Sequence, residues 1–210
     1  MQDTPFPSRW KFAFLFAAAL GFGALALAVQ HGDASGFDAA VRGAIHGWST
    51  PWLTALFRLL TQLGGGVVLW PLGVVVAVWL VRAGRRREAV RFAIAVVAAN
   101  LVDEAIKWGF HRVRPQPWFG VATPASYSFP SGHAFLSCVF YLLLAAAVAR
   151  GAKSRWRKRA VCLAALALTL GIGLSRLYLG VHYPTDVLAG YLAAGAWLAG
   201  VSLVESERVK

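Results

Sequence analysis

Charge is scarce in this chain, and acidic charge is scarcer still. Asp, Glu, Lys and Arg make up 14% of the 210 residues, with only 9 carboxylates among them. A soluble domain carries about 25% charged residues, so this composition excludes an ordinary water-soluble globule. Repeats, linkers and low-complexity stretches are also missing, which leaves one membrane-embedded domain over residues 1–210. Cysteine is nearly absent. Cys138 and Cys162 lie in separate apolar runs predicted near opposite membrane faces, too far apart for disulfide geometry. Neither has the Cys-x2-Cys neighbour of a zinc site, so both are expected to pack.

Apolar residues fill the space instead, at 58% of the chain. Runs of about 17–25 apolar residues can cross a bilayer. Six such runs are expected, at about 11–29, 66–81, 89–107, 131–149, 160–178 and 186–204. The fold class is therefore all-α, a polytopic membrane protein with six transmembrane helices. The first run ends near Ala24-Leu25-Ala26, which resembles a signal cleavage site. Its length, and the spans that follow, favour a retained span.

The formal net charge of +12 is unevenly spread. Arg82, Arg85, Arg86, Arg87 and Arg91 bracket the loop after the second span, and Arg150, Lys153, Arg155, Arg157, Lys158 and Arg159 fill the loop after the fourth. Arg9 and Lys11 precede the first span, and Arg208 and Lys210 end the chain. Short Lys/Arg-rich loops stay cytoplasmic, so both termini are expected inside. These runs flank spans and carry no recognition motif, so membrane lipids are the expected partner and nucleic acid is not. Segments 108–130 and 179–185 then fall outside.

Residues 30–65 read as two short amphipathic helices in the first outer loop. Phe37, Val41, Ile45 and Trp48 recur near helical spacing, as do Leu53, Leu56, Phe57 and Leu60. Pro51 and Gly64-Gly65-Gly66 interrupt them. The glycines read as helix termination or a close-packing hinge, and one long broken span over 52–81 is the alternative.

Three polar clusters sit at the outer ends of apolar segments. The first is Lys107 with Arg114-Pro115. Asp103 lies one turn before Lys107 and suits a salt bridge with it. Pro115 holds the backbone at Arg114 extended, where a guanidinium can grip a phosphate through two hydrogen bonds. The second is Pro130-Ser131-Gly132-His133. Ser131 suits a helix N-cap, and free N–H groups at a helix start also bind anions. Gly132 removes the side chain that would keep a phosphate off the backbone, and His133 falls on the first turn. The third is Ser175-Arg176 with His182 and Asp186. Pro184 suits the first position of a helix. Asp186, in the first turn, can fix one nitrogen of His182 and leave the other free, as for an activated nucleophile. His31, His46 and His111 carry no such context. Tyr127, Tyr178 and Tyr183 read as membrane-belt residues.

The pattern Lys-x6-Arg-Pro, Pro-Ser-Gly-His, Ser-Arg-x5-His-x3-Asp resembles the tripartite signature of the type 2 phosphatidic-acid phosphatase superfamily, over about residues 107–186. The N-terminal half is similar to that family only in hydropathy. The resemblance implies that His182 attacks phosphorus to form a phosphohistidine and that Asp186 orients it. His133 protonates the leaving oxygen and then activates water. Lys107, Arg114, Ser131, Gly132 and Arg176 hold the phosphate oxygens, with no metal and no other cofactor. The expected activity is hydrolysis of a terminal phosphate from a lipid phosphate or diphosphate at the outer face of a bacterial inner membrane. Undecaprenyl diphosphate is the first choice, and phosphatidylglycerol phosphate, phosphatidic acid and lipid A 1-phosphate are the alternatives. Specificity is expected from the groove between spans and from residues 30–65. The competing classes are a lipid phosphotransferase, a haloperoxidase-like enzyme, and a transport or lipid-binding protein. No obligate protein partner is expected.

Overall fold

The computed structural model describes residues 8–207, so Arg208 and Lys210 lie outside the described residues. Those residues form eight helices and no strand: α1 (Ser8–His31), α2 (Ser35–His46), α3 (Pro51–Leu63), α4 (Gly66–Arg82), α5 (Arg86–Phe110), α6 (Gly132–Gly151), α7 (Arg155–Tyr178) and α8 (Pro184–Glu207). The two short helices α2 and α3 form where the spacing of Phe37 to Trp48 and Leu53 to Leu60 places them.

Four helices, α1, α6, α7 and α8, are long and apolar enough to cross a membrane. A fifth candidate is the α3–α4 pair, bent by 47° at the glycines. The expected count of six differs because of α5 and α4. α5 carries Arg86, Arg87, Glu88 and Arg91 near one end and Asp103, Glu104 and Lys107 near the other. α4 alone has 17 residues and contains Pro71. The glycines explain the bend: Gly64 ends α3, and Gly65 in extended conformation starts α4. A Cβ on Gly64 would lie 2.5 Å from Ile172 Cγ2 and 3.2 Å from His133 Cδ2. The run is thus both a helix stop and a close-packing point beside His133.

α6 lies at the centre, against α4, α5, α7 and α8, while α1 packs along α8. Phe92 of α5 meets Phe140 of α6 edge-on at 5.2 Å, within a cluster that includes Leu69, Val76 and Leu80 of α4 and Ile172 of α7. Small residues also line the helix contacts, as in membrane bundles: Ala99, Ala134, Ala189 and Ala194 are all fully buried. Outward faces are apolar instead, with Phe12, Phe14, Phe16, Leu20 and Leu27 exposed along α1. Apolar side chains so arranged suit contact with hydrocarbon.

Candidate active site

The end of α7 delivers His182. Gly180 adopts φ +73°, a conformation that glycine takes without a Cβ penalty. Its N–H donates to Leu177 O at 3.0 Å, and the Val181 N–H donates to Arg176 O at 3.1 Å. These two bonds make a Schellman stop, so the chain reverses and His182 enters the next turn fully buried. α8 then starts at Pro184. Asp186 occupies its third position and accepts from the Tyr183 N–H at 2.9 Å, the return bond of a capping box. The same carboxylate oxygen faces His182 Nδ1 at 3.2 Å. One side chain therefore caps α8 and orients the imidazole.

The tautomer follows from the partners. Arg114 Nη1 lies 2.8 Å from His182 Nε2, and guanidinium can only donate. Nε2 therefore presents its lone pair, and Nδ1–H donates to Asp186 Oδ2. Burial, followed by the charges of Arg114, Arg176 and Lys107, holds the His182 pKa well below 6.5. The imidazole is neutral at physiological pH, as a nucleophile requires. Arg114 is also fixed by the carbonyls of Ser126, Val181 and Tyr127 at 2.7, 3.0 and 3.1 Å. Burial lowers its pKa from 12.5, against the pull of Asp186 and Asp103, and the guanidinium stays charged.

A cavity of about 210 Å³ opens in front of this dyad. Lys107 of α5, Arg114, Gly132 and His133 of α6, Arg176 of α7, and His182 all line it. Ser131 lies at the N-cap position of α6, but its hydroxyl makes no cap bond. Its N–H instead donates to the Asp186 carbonyl at 2.9 Å, which ties the second cluster to the third. Lys107 pairs with Asp103, both buried. A Cβ on Gly132 would sit 2.7 Å from Lys107 Nζ and 2.6 Å from Asp103 Oδ2. Glycine is what lets that pair lie over the α6 N-terminus. Arg176 donates to Thr61 Oγ1 of α3 at 2.5 Å. Ser131 Oγ and Arg176 Nε are buried with no hydrogen-bond partner. Unpaired buried polar atoms are costly, and these two suit a polar ligand. Among the described residues, no three His, Cys, Asp or Glu side chains are grouped to hold a metal ion.

All eight residues singled out in the sequence thus meet at one end of the bundle. A larger groove of about 710 Å³ holds none of them and is lined mainly by apolar side chains of α1, α5 and α8, such as Leu15, Phe22 and Trp197. Sequence reasoning missed Asp38, Arg112, Ser128 and Thr61. Arg112 Nη1 donates to Asp186 Oδ1 at 2.6 Å, and Ser128 Oγ donates to Asp186 Oδ2 at 2.5 Å. Only the buried Asp38 carried a signal, as a carboxylate in an amphipathic helix. His111 is not part of the lining; its ring meets Trp108 and Tyr127. Tyr178 is not a belt residue, because it is fully buried and its hydroxyl lies 2.8 Å from Thr54 Oγ1.

Fold and site together define a membrane-embedded phosphate-handling enzyme, with an oriented imidazole facing three cations. The comparisons agree. The PAP2 superfamily model matches residues 88–210, and this chain belongs to that superfamily. It is 29% identical to phosphatidylglycerophosphatase B of Bacillus subtilis over 168 residues, 80% of this chain and 82% of the relative. It is 28% identical to an undecaprenyl-diphosphatase of Sulfolobus acidocaldarius, over 72% of this chain and 69% of the relative. The fold matches the crystal structure of a transmembrane PAP2-type phosphatidylglycerolphosphate phosphatase from Bacillus subtilis, with a TM-score of 0.86. That match has 26% identity over 94% of this chain and 98% of the other. The protein is an integral membrane phosphatase acting on lipid phosphates.

Proposed function

We propose that the chain removes the terminal phosphate of phosphatidylglycerol phosphate, or of a chemically similar lipid phosphate, through a phosphohistidine on His182. The observation that carries this reading is the His182–Asp186 contact with Nε2 turned to the cationic cavity. An incoming phosphate draws Arg114 from Nε2 onto its own oxygens and frees the lone pair. Nε2 then attacks phosphorus, the bond to the lipid oxygen breaks, and His133 supplies the proton that this oxygen takes. A dianion beside His133 favours its protonated form. Water next attacks the phosphorus and gives its proton to His133; the P–N bond breaks, Nε2 recovers its lone pair, and inorganic phosphate leaves. Lys107, Arg114, Arg176, Ser131 and the α6 N-terminus at Gly132 stabilise the charge on the phosphoryl oxygens, work that needs no metal.

The match in length and fold to the Bacillus phosphatases supports phosphatidylglycerol phosphate as substrate. The Sulfolobus relative supports undecaprenyl diphosphate, which is the second reading. Six crossings, by α1, α4, α5, α6, α7 and α8 in a single domain, would put both Arg-rich turns on one face and the site on the other. With the positive-inside rule, such a topology supports a site at the outer face of a bacterial inner membrane. Phosphate release from a panel of purified lipid phosphates in detergent tests the proposal. Release from phosphatidylglycerol phosphate at the highest kcat/KM is expected. Phosphoryl transfer to a second lipid without release would overturn hydrolysis.

A further inference from the structure

We propose that Arg112, held by Asp38 and Thr185, is a positioning residue that keeps Asp186 ionised and aimed at His182. This rests on the phosphohistidine reading. Asp186 is fully buried, yet its Oδ2 serves three donors: Ser128 Oγ, the Tyr183 N–H and His182 Nδ1. Oδ1 has one side-chain partner, Arg112 Nη1 at 2.6 Å. A carboxylate in such surroundings needs a paired cation to remain charged. Arg112 supplies it, and is not among the residues lining the phosphate cavity.

Arg112 is itself built in. Its Nη1 also donates to Thr185 Oγ1 at 2.8 Å, and its Nη2 donates to Asp38 Oδ2 at 2.7 Å. Asp38 is buried in α2 and accepts from the Thr185 N–H at 3.0 Å and the Thr185 hydroxyl at 2.8 Å. The guanidinium lies over the Tyr183 ring at 4.1 Å. One fork therefore spans two carboxylates and one hydroxyl, a geometry that a lysine ammonium meets only in part. The other charged and titratable groups facing this cluster are His182 and Tyr183 from the α7–α8 turn, Arg114 from the α5–α6 loop that also carries Arg112, and Arg42 from α2. The first outer loop, remote in sequence, thereby reaches the nucleophile through two side chains.

The test is steady-state kinetics of Arg112→Ala, Arg112→Lys and Asp38→Asn in detergent, against His182→Ala. Side chains that orient metal-ligating histidines typically account for about 10- to 100-fold in activity, and an effect of the same order is expected of this indirect orienting contact. Arg112→Ala should lower kcat by about that factor with KM unchanged. Its acidic limb of kcat/KM should move to higher pH, because a carboxylate stripped of its cation is easier to protonate. Arg112→Lys should recover part of the rate, added guanidinium should restore Arg112→Ala, and Asp38→Asn should fall between wild type and Arg112→Ala. A raised KM with unchanged kcat would make Arg112 a phosphate ligand instead. A loss of rate with an unmoved pH profile and no rescue would make it merely structural. Either result overturns the proposal. If Arg112→Ala does not fold, Arg112→Lys and Asp38→Asn give the same two readouts. Full activity in His182→Ala would instead sink the phosphohistidine reading itself.

Discussion

At the residue scale, the decisive group is His182, whose two ring nitrogens face opposite chemistry. Nδ1 meets a carboxylate and Nε2 meets a guanidinium. Replacing His182 with Ala should lower phosphate release by several orders of magnitude, since removal of a nucleophile leaves only binding and electrostatic terms. Retention of more than about a tenth of wild-type turnover would assign the attack elsewhere. Asp186→Asn should cost less, because Ser128 and the Tyr183 N–H still hold the side chain in place. The pH dependence follows in sign from the same surroundings. Burial and nearby cations hold the His182 pKa well below 6.5. His182, the proposed nucleophile, thus stays unprotonated as pH falls through 6.5 and is lost only below it. A kcat/KM profile in wild-type enzyme should therefore show no loss assignable to His182 down to that pH. A limb at or above 6.5 that disappears with a His182 substitution would contradict it.

At the element scale, the site is made of helix ends. α6 offers its N-terminus, α8 its first turn, and α5 and α7 their last turns, each with one site residue or more. Close approach of α6 and α8 depends on Gly190. A Cβ there would fall 2.7 Å from the Ser131 carbonyl and 3.2 Å from the Phe135 backbone nitrogen. Backbone atoms cannot swing aside, so Gly190→Ala must push α8 from α6 and strain the Ser131 N–H to Asp186 carbonyl bond. Overpacking of this kind costs about 1–3 kcal/mol. Lower thermal stability in detergent is expected, together with a kcat loss. Unchanged values of both would show that the helices separate without cost. The cations also come from separate elements, Lys107 from α5, Arg114 from the loop and Arg176 from α7. On the proposed mechanism they supply the positive field, so activity should survive EDTA and fall with orthovanadate, a mimic of five-coordinate phosphorus. Loss on chelation, restored by magnesium, would reverse this reading.

At the scale of the whole molecule, the bundle has a polar site at one end and Arg-rich turns at the other. Cysteines introduced at Pro117 or Thr123 should react with a membrane-impermeant thiol reagent in intact cells, and one at Ala152 only after permeabilisation. Native Cys138 is buried within α6; Cys162, expected to pack, is instead exposed on the apolar span α7, where surrounding hydrocarbon would shield it from a water-soluble reagent, so neither should label. The reverse pattern would move the reaction to the cytoplasmic leaflet. Much of this organisation is local and was therefore legible in the chain itself. Helix periodicity, Pro184 at a helix start and the four-residue step from His182 to Asp186 act over one or two turns, and spacing encodes such contacts. The three polar clusters also stand out because hydrocarbon surrounds them. What spacing could not encode is pairing across the bundle. Arg112 meets Asp38 and Asp186, each 74 positions away, and Arg176 meets Thr61 across 115 positions. Nothing in local sequence tells a buried guanidinium which carboxylate lies opposite. Only helix packing brings those groups within hydrogen-bond reach, so only the tertiary structure decided how α2 and α3 support the site.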